Sequence, residues 1–141
     1  MAVEPVNLGY ALLYSTLHND ATFAAAVSGI FQGVAPANSV PAGSIFCILN
    51  LQSSTDTNSA FGARILTRQL FQVKICGPIE NDTSIRSAYA RADALLQPNG
   101  IPLRNQGNTL ACFREQAISY TELRADGTLW LHYGGLYRVE V

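Results

Sequence analysis

Apolar residues along this chain recur at helical spacing, then in runs and alternations, and each switch marks an element. After Pro5, Leu8, Leu12, Leu13 and Leu17 fall on one helical face, which predicts a helix ending near His18 and Asn19. Asp20-Ala-Thr-Phe-Ala-Ala-Ala-Val-Ser-Gly29 reads as a second, short helix, with Asp20 as its N-cap and Gly29 as a left-handed stop. Its alanines favour helix and let another element approach closely. Residues 30–36 read as a brief extended exit, and 35–43, with Pro36, Pro41 and Gly43, as a loop.

The run 45–51 is apolar at nearly every position, which predicts a strand covered on both faces. Residues 52–62 then turn polar, and only Ala60 and Phe61 before the glycine are apolar. This stretch is read as a mobile connection, longer than a hairpin needs and suited to binding. From Ala63 a long strand alternates, with Thr67, Gln69, Phe71, Val73 and Ile75 on one face and Arg68, Leu70, Gln72 and Lys74 on the other. The first set becomes apolar only at Phe71, so the strand is expected to reach past the core at its start. Gly77-Pro78 stops it.

Asn81, Asp82, Thr83 and Ser84 offer caps for a helix whose apolar stripe is Ile85, Ala88, Tyr89, Ala92, Leu95 and Leu96. Arg86, Arg91 and Asp93 form its wet side, and Pro98-Asn-Gly100 ends it. Strands at about 111–123 and 128–141 follow, joined by the hairpin signal Ala125-Asp-Gly-Thr128. Gly134-Gly135 marks either a bulge or a close approach of another backbone. The order predicts one α+β domain over 1–141, an antiparallel sheet with helices packed mainly on one face.

Composition narrows the function classes. Charged residues make up 13% of the chain, well under the usual ~25%, which fits an exterior partly covered by partners or by polar uncharged groups. A net charge of −1 gives no global pull towards nucleic acid or anionic membranes. Cys47, Cys76 and Cys112 form no C-x-x-C pair and read as reduced, mostly buried thiols. Neither a signal peptide nor a membrane-spanning run is expected.

Catalytic patterns are weak. His18 and His132 lie on different elements with no ligand-spaced neighbours, so no metal or cofactor is expected. A small cytoplasmic enzyme would have to draw on Cys112, with His132 across the sheet, or on Glu115, Glu122 and Glu140. No nucleophile elbow or phosphate loop is present. Arg64, Arg68 and Lys74 share a strand face and could touch DNA or an acidic partner, or form a salt-bridged surface. Tyr10, Tyr14 and Tyr89, on helices, are read as core, and Trp130, Tyr133 and Tyr137 first as core and second as interface.

In order, these segments resemble the tail-terminator, or tail-completion, family of tailed bacteriophages. The likeness rests on the Asp20–Gly29 block, the apolar pair Ile30-Phe31, the turn Gly33-Val-Ala-Pro36, and Pro41 ahead of the apolar strand. Phe71-Gln-Val-Lys-Ile75, the Ala-rich helix at 84–96 and the aromatic-apolar ending at 136–141 complete it. The chain departs from the pattern in an Ala-Gly-Ser insertion after Pro41. The resemblance implies a non-enzymatic virion protein, a hexameric ring capping the tail tube at the head-proximal end. Its implied partners are further copies of itself, the tail tube protein and head–tail connector or neck proteins, with genomic DNA passing through the lumen. A neck connector of the same fold is the nearby alternative. Thr55, Asp56, Asn58, Phe61, Arg64, Arg68 and Lys74, on the polar connection and the basic strand, are the expected contact residues.

Overall fold

The computed structural model describes residues 5–36, 38–106 and 109–141; of the loop expected at 35–43, residue 37 lies outside it. Helices α1 (Pro5–His18) and α2 (Ala21–Ala26) come first, then strands β1 (Ile30–Gln32), β2 (Phe46–Asn58) and β3 (Arg64–Pro78). Helix α3 (Asp82–Leu96) precedes β4 (Leu103–Gln106), β5 (Thr109–Leu123) and β6 (Leu129–Glu140). The strands form a six-stranded sheet in the order β1-β2-β3-β6-β5-β4. All neighbours are antiparallel except β1 and β2, which run parallel. The three helices cover one face, as an α+β fold.

The main core lies between that face and the helices. Leu13 and Leu17 of α1, Phe23 of α2 and the α3 stripe meet Cys47, Leu49, Phe71, Val73, Ile75, Tyr137 and Val139. Asp20 caps α2, its carboxylate accepting from the Phe23 amide at 2.8 Å, and also takes two hydrogen bonds from Arg91 of α3. The cap therefore also ties α2 to α3. Gly29 is not a left-handed stop. A side chain there would strike the Phe31 ring, so the glycine serves packing.

Three further expectations need correction. The connection read at 52–62 is largely strand: β2 continues to Asn58 and pairs with β3 down to Asn58↔Arg64, leaving only a tight turn around Gly62. The ladder to β3, rather than any apolar pattern, makes this segment extended. β3 does reach past the core at its start, but only over Arg64, Ile65 and Leu66. The polar Thr67 and Gln69 are already buried, Gln69 with Gly9 of α1 directly above its carboxamide. Finally, Asp93 is not on a purely wet side. It accepts a 2.5 Å hydrogen bond from the Tyr137 hydroxyl, which also meets Tyr89 at 3.0 Å.

Gly134-Gly135 is a close approach and not a bulge. A Cβ at Gly134 would collide with the Val73 carbonyl, and one at Gly135 would meet the Tyr89 hydroxyl at 2.6 Å. The hairpin between β5 and β6 turns at Gly127, whose φ of +84° is the left-handed step of a three-residue turn.

Candidate functional site

The expected contact residues fall into two separate places. Thr55, Asp56, Asn58, Phe61, Arg64 and Arg68 lie together on the far half of the β2–β3 hairpin, beyond the helices. Bulges at Leu51/Ser53 and Thr57/Asn58 set which face each one takes. The Thr67 hydroxyl donates to Asp56 at 2.6 Å, which puts Asp56 on the helix side. Arg64 reaches the same carboxylate at 3.8 Å. Arg68, paired with Thr55, reaches Glu140 at 3.7 Å on the opposite side. The basic row expected of Arg64, Arg68 and Lys74 therefore does not share one face, because the bulge breaks the alternation. Both arginines are also matched by carboxylates, as Arg138 is by Glu115. That arrangement suits a neutral protein contact better than a phosphate backbone. Phe61 stands at the turn, 98% exposed.

Lys74 sits six residues further along, in a second site on the helix-free face. There the segment after β1 folds back over the sheet, so that Phe31, Ala35 and Val40 pack on Phe46, Ile48, Cys76 and Trp130. This small layer is why β2 begins apolar on both faces. Beside it lies a cavity of about 520 Å³, whose polar lining includes Lys74, Cys76, Glu122, Arg124 and His132. His132 stacks on Tyr120 with ring centroids 4.5 Å apart, and Lys74 donates to the Tyr120 hydroxyl at 2.7 Å. Arg124 lies 3.4 Å over the Trp130 ring.

His132 does have a cysteine partner, but not Cys112. Cys112 is in the main core under the helices, whereas His132 faces the other way. Cys76 takes its place, with Sγ 3.2 Å from His132 Nδ1, while Nε2 lies 3.2 Å from Glu122 Oε1. With Nε2 donating to Glu122, Nδ1 is left to accept from the thiol. Burial pushes the Cys76 thiol up to about 12 and holds the imidazole below its ordinary value. Both groups are thus neutral near pH 7, the reverse of an activated thiolate–imidazolium pair. Cys112 is likewise pushed up to about 12, and Cys47 higher still, by burial. Among the described residues no His, Cys, Asp and Glu cluster could hold a metal ion. Glu115 and Glu140 line one cleft with Thr55, Phe113, Arg68 and Arg138, and each is paired there with an arginine, Glu140 with Arg68 and Glu115 with Arg138. Among the described residues no helix is long and apolar enough to cross a membrane.

The aromatic residues are mainly packing. Tyr89 and Tyr137 are buried, Tyr10, Tyr14 and Tyr133 line the main core, and Trp130 closes the outer layer.

No family model and no curated protein matches this chain. Solved structures do share its fold. One chain, at 20% identity and a TM-score of 0.57, aligns over 99% of this chain and 96% of its own. Another comes from a structure described as the virion of a native gene transfer agent particle. It aligns at 18% identity over 92% of both chains with a TM-score of 0.63, so the fold of this chain is similar to that of a virion component over nearly its full length.

Proposed function

We propose that this chain is a structural protein of a tailed-phage-like particle, a single domain that forms a ring at the head-proximal end of the tail. There it ends tail-tube polymerisation and joins tail to head. The observation that carries this reading is the fold likeness, end to end, to a chain of a gene transfer agent virion. The family resemblance of the Asp20–Gly29 block and the segments after it points the same way. So does the absence of an activated nucleophile at the Cys76–His132 pair, where an enzyme reading would need one.

In this reading six copies close the ring. The tail tube protein and a neck protein bind its two ends, and DNA crosses the lumen without being read. The bare half of the β2–β3 hairpin, from Thr55 to Arg68, supplies contacts to neighbours. Native mass spectrometry of the purified chain, with cryo-EM of assembled particles, tests it. A six-membered ring at the head-proximal end of the tail is expected. A chain that is monomeric at high concentration and missing from particles would overturn it. A ring seated against the portal side would mean a neck connector instead.

A further inference from the structure

Among the described residues, two stretches of sheet edge lie open beyond the short edge strands β1 and β4, on opposite sides of the molecule. Strand β1 covers β2 only over 47–49, and the pairing of β4 with β5 ends at Cys112. The direction of the backbone groups on each open stretch follows from the register. Thr67 and Val141 exchange two backbone hydrogen bonds of 2.9 Å, so odd-numbered residues of β3 bond towards β6 and even-numbered ones towards β2. Opposite those even residues stand Ser53, Thr55 and Thr57. Ser54 and Asp56 therefore aim their N–H and C=O groups away from the sheet.

On β5, Tyr120 and Ile118 lie opposite His132 and Gly134 and bond inward to β6. Ala117, Ser119 and Thr121 consequently aim outward. Arg114 shows the same outward direction, its amide donating to Gln97 Oε1 at 2.9 Å. The side chain of Gln97 closes the edge there, and the open stretch begins just beyond.

We infer that copies of this chain join side by side by strand addition, the open edge of β2 (51–58) pairing with the open edge of β5 (117–121) on the next copy. The inference rests on the ring reading above. Successive antiparallel pairings leave β2 and β5 running in opposite directions. A neighbour in the same orientation thus brings β5 antiparallel to β2, with its outward groups facing Ser54 and Asp56 and its helices on the same side. The contact joins two different patches, so it propagates and can close into a ring.

Between its two bulges the β2 stretch, like the β5 stretch, lacks two of the usual guards. Neither contains a lysine or a proline, which natural edge strands use to refuse partners. Charge favours the mixed pairing over like with like. Two β2 edges would set one Asp56 carboxylate beside the other, whereas β5 offers it uncharged Ala117, Ser119 or Thr121.

The edges are also staggered. Thr55 is level with Arg68, Glu140 and Ala111, whereas Ser119 is level with Tyr133, Ile75 and Cys47. Pairing them slides each neighbour by about seven ladder steps, roughly 23 Å at ~3.3 Å per residue. Over the four strands crossed, at ~4.8 Å each, the strands incline by about 50°, near the slope at which sheets close on themselves.

Ser54→Pro and Ser119→Pro each remove one outward N–H and leave the internal ladder intact. Size-exclusion chromatography with light scattering should find wild-type rings and both variants monomeric, with native circular dichroism. Mixing the variants should give a complex of two chains and nothing larger, since one intact β5 edge then meets one intact β2 edge. Rings that persist in either variant, or variants that dimerise with themselves, overturn the edge pairing and leave the ring reading standing. A wild-type chain that forms no ring, alone or in particles, defeats the ring reading first. Should a proline variant fail to fold, Ser54→Cys combined in turn with Ala117→Cys, Ser119→Cys and Thr121→Cys serves instead, because the native thiols are buried. One of the three doubles should cross-link the ring chain to chain on oxidation. Cross-linking in none of them, on an intact ring, overturns the pairing.

Discussion

The two halves of β2 are one hydrogen-bonded strand in opposite surroundings. Over 46–49 every side chain is buried, Cys47 and Leu49 under the helices, Phe46 and Ile48 under the returning segment. From Gln52 to the end of the strand every side chain is exposed, though the ladder to β3 continues. Backbone pairing and side-chain burial are thus separable within a single strand. The first half holds the fold, and the second is left free to be selected for contacts.

Substituting one residue in each half measures the difference. Leu49 is 0% exposed, so Leu49→Ala should lower unfolding stability by about 2–5 kcal/mol, from lost burial and the cavity left behind. Thr57→Ala, eight positions on, should stay within ~0.5 kcal/mol. Urea titrations of the monomeric chain read both. Equal losses would mean that the far half carries the fold as well.

The same contrast explains what was legible in the sequence. Helices α1 and α3 announce themselves because burial is periodic, as Leu13, Leu17, Ile85 and Ala92 record, and the strand beginning at Phe46 because burial on both faces makes an unbroken apolar run. The far half of β2 has no such signal. Ser53, Thr55 and Asn58 look like loop because what extends them is the partner strand, which the local pattern does not report. Bulges hide a second kind of information. Cys112, Tyr120 and Glu122 are all even-numbered, which suggests a shared face. The bulge between Arg114 and Gln116 sends Cys112 into the core and leaves the other two beside His132. The Cys76–His132 contact spans 56 residues and had no local trace. Gly134 was readable, because a strand interior tolerates two glycines mainly where another backbone needs the room.

The outer cover of the first half is more polar than the inner one, and pH should weaken it selectively. His132 is packed among Cys76, Tyr120, Glu122, Lys74 and Arg124, and burial lowers its folded-state pKa from the ordinary 6.5. Below pH 6.5 the unfolded chain therefore binds a proton that the folded chain refuses. Stability should fall as pH drops from about 6.5 and level off once the folded imidazole protonates. The slope can be no steeper than about 1.4 kcal/mol per pH unit for one group. Glu122 is held below its ordinary range by its bond to His132, so its own titration lies at lower pH and does not blur this window. Urea midpoints between pH 7.5 and 5 should slope for the wild type and be nearly flat for His132→Gln. A slope retained in the variant would assign the effect elsewhere.

The smallest effect on the isolated chain belongs at the tip of the bare half. Phe61 is 98% exposed, and the turn that presents it is held by the backbone, with the Gly62 amide donating to the Ser59 carbonyl at 2.9 Å. The ring contributes nothing to that turn. Phe61→Ala should therefore leave the urea midpoint of the monomer unchanged within ~0.5 kcal/mol. An exposed aromatic at a hairpin tip becomes costly to remove only when a neighbour covers it, where burying a side chain of this size stabilises by about 1.5–3 kcal/mol. The proposed ring should accordingly dissociate at higher protein concentration in the variant than in the wild type. A large loss in the monomer would instead mean that the tip folds back on its own sheet, and that the far half of the hairpin is not bare.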